Sequence, residues 1–287
     1  MVLIVSAVTF GLLSTAGGDA FTALRENPQV SAATIENLRR IYGLDRPVAV
    51  RYGIWLSSTV RGELGESFYF RTPVLDLVVS RSASTLSISA AALLLAIAVT
   101  LLLGILSARF RWPWLSALIG LLIVLTSSTP RLVLALAAMA AIAGADEIST
   151  FSMAVVVLAV PLIAIFLAQF SQELNTAMTE DFVRLARAKG LSEWAVIVRH
   201  ALRAALNPVL TMLGLSFGGL LGGSVIVESI LGRAGLGSLM VTAVRNRDIP
   251  LIMGIVLIAS AAVWIGNVMA EFLQMMNDKR ISSLETQ

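Results

Sequence analysis

Four stretches of this chain, Ser84 to Ala108, Phe151 to Gln172, Pro208 to Val227 and Ile249 to Ala270, contain no Asp, Glu, Lys or Arg. Lipid offers backbone N–H and C=O groups no water, so a membrane crossing is a helix of about 20 apolar residues. Each run is long enough to be one. A fifth run, Trp114 to Ala143, is interrupted once by Pro130-Arg131 and reads as one long or tilted helix. A sixth, Met1 to Ala16, is uncharged but short, without the basic residues that usually precede a first membrane helix. A secretory signal peptide would also be short and apolar. The basic start is missing, however, and Ser14-Thr15-Ala16-Gly17-Gly18 is a poor cleavage site, so a first membrane helix with a truncated start is expected. Composition agrees with membrane residence. Of 287 residues 57% are hydrophobic and 14% charged, where a soluble surface needs about 25% charged. The fold class expected is all-α: a polytopic membrane helix bundle of about six transmembrane helices.

Charge sets the orientation. The Arg109-Phe110-Arg111 turn, the Glu173 to Asn207 loop and the C-terminal tail carry nine Arg and Lys residues, Lys279 and Arg280 among them. The opposite turns carry none (Gly144 to Thr150) and three (Arg233, Arg245, Arg247). Cytoplasmic loops hold the excess of Lys and Arg, so the first set is expected in the cytoplasm together with both termini. Three regions follow: 1–16 as the first span, 17–83 as an extracytoplasmic segment, and 84–287 as a core of five spans. In the outer segment Ile35, Leu38, Ile41 and Tyr42 recur at helical spacing behind Ser31, and Val50 to Val60 follows the Gly43 to Pro47 break. Two short amphipathic helices are predicted there. The net charge of +3 is too small to imply a nucleic-acid partner. The absence of cysteine removes disulfides and thiolate metal sites, and a single histidine, His200, removes a multi-histidine one.

The loop 173–207 is charged yet helical in pattern. Thr179 to Lys189 places acids at its start and bases toward its end, complementing the helix dipole, and Gly190 supplies a stop. A second helix is predicted from a Ser192 cap to Leu206, with Pro208 beyond it opening the next span. Helix, glycine turn and helix make a rigid elbow suited to a partner's groove.

The stretch Ala186-Arg187-Ala188-Lys189-Gly190-Leu191, followed by His200-Ala201-Leu202-Arg203-Ala204-Ala205-Leu206-Asn207-Pro208, resembles the EAA loop of ATP-binding-cassette importer permeases of the dipeptide, oligopeptide and nickel branch. Tyr42-Gly43-Leu44-Asp45-Arg46-Pro47, Gly62-Glu63-Leu64-Gly65-Glu66-Ser67, Gly222-Gly223-Ser224 and Arg247-Asp248-Ile249-Pro250 extend the resemblance over nearly the whole chain. Arg184 stands where the general EAA pattern opens with glutamate, and Gly17-Gly18-Asp19-Ala20 where the family has Pro-Gly-Asp-Pro.

The resemblance implies a type I importer permease fold in a bacterial or archaeal cytoplasmic (inner) membrane. It implies three kinds of partner besides membrane lipid: a second permease, usually a different homologous chain, two cytoplasmic ATP-binding subunits and an extracytoplasmic solute-binding protein. No cofactor is expected in this chain, since ATP and Mg2+ belong to the ATPases, and no Gly-x-x-x-x-Gly-Lys-Ser/Thr motif occurs. Nor is the chain expected to be an enzyme. Arg184, Ala186, Arg187, Ala188, Lys189, Gly190 and Leu191 would contact the ATPase, the small residues allowing close approach and the bases pairing with acids on the groove rim. Gly214, Gly218 and Gly222 fall on one i, i+4 face and read as a helix-packing surface. Arg131 lies in an apolar run and needs a polar partner: a substrate carboxylate or an acid of the second permease. An arginine in the pathway suits peptides better than a bare metal cation. A nickel or metal-chelate importer of the same family is the nearest alternative, and an ATP-independent secondary transporter a more distant one.

Overall fold

The computed structural model describes residues 1–15, 31–41, 43–110, 112–141 and 146–277. The Gly17-Gly18-Asp19-Ala20 break, Tyr42, Arg111, Gly144 and the tail with Lys279 and Arg280 lie outside the described residues. In chain order the helices are α1 (Val2–Thr15), α2 (Ala32–Ile41), α3 (Val48–Val60), α4 (Val74–Phe110), α5 (Pro113–Ser128), α6 (Arg131–Ala141), α7 (Glu147–Ala177), α8 (Asp181–Ala188) and α9 (Glu193–Val196). A π-helical turn (Ile197–Ala201) leads into α10 (Leu202–Ile230), followed by α11 (Leu236–Arg245) and α12 (Ile249–Asn277). Among the described residues there is no strand, only an isolated bridge between Glu66 and Pro73.

Four helical stretches are long and apolar enough to cross a membrane: α4, α7, α9 through α10, and α12. The pair α5 and α6 makes a fifth if its two halves form one span. α1, at 14 residues and about 1.5 Å of rise each, falls short of a bilayer core of about 30 Å.

Two expectations are corrected. The run 114–143 is not one long or tilted helix: α5 and α6 meet at 99°. Pro130 has no N–H to continue the ladder, and it pushes Thr129 into extended backbone, φ −96 and ψ 116. Thr129 Oγ1 instead donates to Leu125 O at 2.7 Å, closing a carbonyl at the end of α5. Nor does a helix end at Leu206: the chain is helical from Glu193 through Ile230, with Pro208 inside. Prolines are tolerated within membrane helices because the local ladder adjusts. Here the π turn lies just upstream, where Leu202 N donates to Ile197 O.

The chain divides into two compact units. The first joins Met1–Thr85 to Ala234–Trp264. Ser31 Oγ accepts from Thr34 N at 3.1 Å, capping α2, and Tyr52 of α3 bonds Ser6 Oγ of α1 at 3.0 Å and tilts against Phe10. Leu64, Val74 and Val78 pack with Leu236, Leu239 and Leu251. Gly254 permits this, since a Cβ there would collide with Val74. Asp248 is fully buried: Oδ2 accepts from Ser67 Oγ at 2.6 Å and Tyr69 N at 3.0 Å, and Oδ1 from Leu251 N at 3.2 Å. One carboxylate thus caps α12 and holds the turn before α4.

The second unit joins Leu86–Arg233 to Ile265–Gln287. Its centre is α7, whose Leu158, Phe166 and Phe170 are fully buried. Lipid tails are as apolar as leucine, so helices here associate by close packing, which small residues allow. A Cβ on Gly104 would meet the Phe170 ring at 2.4 Å, and one on Gly266 the Phe217 ring at 2.5 Å. Arg203 and Asn277 exchange side chain to backbone bonds, Arg203 Nε to Asn277 O at 3.1 Å and Asn277 Nδ2 to Arg203 O at 2.9 Å, tying the end of α12 to the start of α10.

Candidate functional site

The elbow is built on the C-terminal end of α7. After Ala177 the chain turns through Met178 to Glu180 and begins α8, with Asp181 in its first turn, where the dipole favours an anion. Gly190 lies at φ +79, a left-handed conformation that glycine adopts without penalty. Leu191 N donates to Ala186 O at 3.3 Å and Gly190 N to Arg187 O at 2.9 Å, the pair of bonds of a Schellman stop. Two residues later Ser192 Oγ accepts from Ala195 N at 3.3 Å and starts α9.

The inner face of the elbow is welded to its support. Val183, Ala186, Val196, Ile197 and Ala201 are buried with Phe170, Leu174 and Met178. Arg187 reaches across the glycine turn to Glu193, Nε to Oε1 at 2.8 Å and Nη2 to Oε2 at 3.2 Å. Such a two-pronged pair fixes the angle between α8 and α9 more than it stabilises the fold, about 1 kcal/mol or less at this exposure. The outer face is apolar: Phe182, Leu185, Leu191, Trp194 and Val198 are all exposed, Leu185 at 57% and Trp194 at 56%.

The residues singled out in the sequence therefore divide. Ala186 points inward. Arg187 braces the elbow internally, and Arg184 lies 3.5 Å from Asp181 one turn earlier, both largely exposed. Ala188, Lys189, Gly190 and Leu191 are exposed at the corner. His200 is half-buried in the π turn. Glu193, Phe182, Leu185 and Trp194 were not singled out. The signal was present: α8 carries two apolar i, i+3 pairs, 182/185 and 183/186, more than a helix with only one buried face requires.

Arg131 opens α6 at the proline break, within the same unit. Its guanidinium donates to Gly219 O of α10 at 2.6 Å and occupies the space that a side chain at Gly223 would fill. The glycine face divides as well. Gly214 packs on Asn267 and Ala270 of α12, where a Cβ would come within 3.0 Å of both side chains. Gly218 and Gly222 are exposed, and a Cβ on Gly222 would meet nothing within 4 Å. Glu228 near the end of α10 is fully buried.

Long apolar helices, one of them broken at a proline beside an arginine, and a braced helical elbow at the end of α7 are the architecture of a polytopic membrane protein. Residues 100–283 match the family described as binding-protein-dependent transport system inner membrane component, and the chain belongs to it. A protein of Brucella suis biovar 1 named "Putative peptide permease protein" is 33% identical over 98% of this chain and 95% of its own length. The glutathione transport system permease protein of Escherichia coli O6:H1 is 33% identical over 94% of this chain and 91% of its own. The chain is thus a permease subunit of an ATP-binding-cassette importer of the dipeptide, oligopeptide and nickel branch, multi-pass in the inner membrane, and ATP hydrolysis resides in separate subunits.

Proposed function

We propose that this permease carries di- and oligopeptides, glutathione-like ones included, and that residues 180–198 receive the stroke of a cytoplasmic ATPase. The names of its relatives support the substrate class. The observation that carries the coupling role is the two-faced elbow: an inner face locked to α7 and an outer face with Phe182, Leu185 and Trp194 exposed. Exposed aromatic and aliphatic anchors at the centre of a rigid surface are what a protein groove binds. A rigid lever transmits displacement to α7 and α10 without being absorbed in loop motion.

In this reading a second permease completes the pathway, two ATPases each hold one elbow, and a binding protein delivers substrate at the opposite face, with both termini cytoplasmic. Gly218 and Gly222 offer a smooth surface to the second permease. Arg131, half-exposed beyond its bond to Gly219, presents its remaining donors to a peptide carboxylate. ATP-driven closure draws the elbows together and opens the bundle outward; hydrolysis returns it.

The test is uptake of labelled dipeptide into cells or proteoliposomes by the assembled transporter, comparing wild type with Leu185→Glu and Trp194→Glu. Both positions are exposed, so the chain should reach the membrane in normal amounts while ATP-dependent uptake and ATPase recovery fall together. Undiminished uptake by both variants would overturn the coupling role. Uptake of a nickel chelate with none of peptide would overturn the substrate.

A further inference from the structure

The first unit holds a cavity of about 340 Å3 between Phe10 of α1, α3, the turn at residues 63–68 and the start of α12. Phe10, Leu64, Trp55 and Ile249 give it apolar walls. Charges of both signs line it as well, Arg46 and Arg51 with Glu63 and Glu66. The Arg51 guanidinium lies 5.6 Å over the Phe10 ring, so cation and apolar wall are adjacent.

The cavity's position narrows what can fill it. Phe10 is in the final half of an apolar helix whose Leu3, Ile4, Val8 and Leu12 are exposed, and Ile249 is the first residue of a membrane-length helix. Both belong at the depth of lipid headgroups, and the exposed face of α1 suits acyl chains. An occupant that fits offers an apolar portion to Phe10 and Leu64, an anion toward the guanidinium side and a cation toward the carboxylate side.

We propose that this cavity binds a phospholipid with a primary-amine headgroup. Its phosphate lies on Arg46 and Arg51, and its amine faces Glu63 and Glu66. The first methylenes of one chain rest on Phe10 and the rest of the lipid stays in the bilayer, since the volume holds a headgroup and little more. Guanidinium pairs suit phosphate, and carboxylates distinguish an ammonium that donates hydrogen bonds from a quaternary one that cannot. A zwitterionic peptide carries the same charges. The lipid is favoured because it is present at this depth at all times and at high local concentration. The inference rests only on membrane residence, not on which side this end faces or on the substrate.

The transporter, purified with its co-purifying subunits, is delipidated in detergent and offered equal mixtures of phosphatidylethanolamine, phosphatidylglycerol and phosphatidylcholine. Retained lipid is counted by mass spectrometry. Phosphatidylethanolamine should be retained about tenfold over phosphatidylcholine, and Arg46→Gln with Arg51→Gln should lower this retention about tenfold, the equivalent of about 1.4 kcal/mol. Arg61→Gln, outside the cavity, should retain lipid as wild type does. Equal retention of the three lipids, or variants indistinguishable from wild type, would overturn the proposal. So would displacement of the phosphatidylethanolamine by a dipeptide, which would make the cavity a peptide site.

Discussion

Replacing Gly190 tests whether the elbow is held by its backbone. Gly190 sits at φ +79, and a Cβ built there meets nothing within 4 Å, so the cost of a side chain is conformational and not steric. An L-residue in the left-handed region costs about 1–2 kcal/mol. Replacing glycine by alanine returns about 0.4–1 kcal/mol by restricting the unfolded chain. Gly190→Ala should therefore weaken the turn by about 1 kcal/mol, Gly190→Asn by less, since asparagine tolerates this region, and Gly190→Val by more. The turn reports on itself through the amides of Gly190 and Leu191, which are bonded to Arg187 O and Ala186 O. Hydrogen exchange at these amides should accelerate about fivefold in Gly190→Ala, as expected for about 1 kcal/mol. Peptide transported per ATP hydrolysed should fall in the order Asn, Ala, Val. Equal exchange rates in all three variants, or an asparagine variant worse than valine, would refute the reasoning.

Three further outcomes follow from single contacts. Gly104→Ala drives a methyl into the Phe170 ring and should cost about 1–3 kcal/mol by thermal unfolding in detergent, with partial rescue by Phe170→Leu; an unshifted transition would contradict the packing. Arg131→Met removes the bond to Gly219 O and the donors beyond it, and should raise the uptake KM for peptides with a free carboxylate roughly tenfold, with Arg131→Lys intermediate; unchanged KM would remove Arg131 from the pathway. Asp146, the cap of α7, accepts from the Ser149 hydroxyl and the Ser149 N–H, which hold its carboxyl below the ordinary value. Its contribution is present above the ordinary carboxylate pKa and lost as pH falls through the lower folded value; Ser149→Ala should return the titration, followed by carboxyl NMR, toward normal.

Membrane residence and the helical class were legible because charge-free runs report directly on the absence of water. The glycine stop at Gly190 and the Ser192 cap were legible for a similar reason, since each residue type answers a local backbone need. The break at Pro130 was misread because a proline in an apolar run permits either a kink or a near right angle, and neighbouring helices decide between them. Pro208 was misread in the opposite sense. A π turn at Ile197–Ala201 leaves no mark in composition, and α10 runs on through Pro208 to Ile230 where a soluble helix would have stopped. Which way each elbow side chain points depends on the rotation of α8 against α7. Ala186 was read as a contact surface and lies inside, while Leu185 beside it faces out.

In the proposed coupling, the outer face of α8 and α9 meets an ATP-hydrolysing subunit. The chain contains no cysteine, so a single cysteine carrying a photoactivatable cross-linker can be placed at will in otherwise native sequence. Linkers at Leu185 and Trp194, which are exposed, and at Val183, which is fully buried on the opposite face, are compared in native membranes with and without ATP. Cross-links are expected from Leu185 and Trp194 to a protein carrying a phosphate-binding ATPase motif, altered in yield by ATP, and none from Val183. Cross-links to lipid alone, or an ATPase captured as well from Val183 as from Leu185, would contradict it.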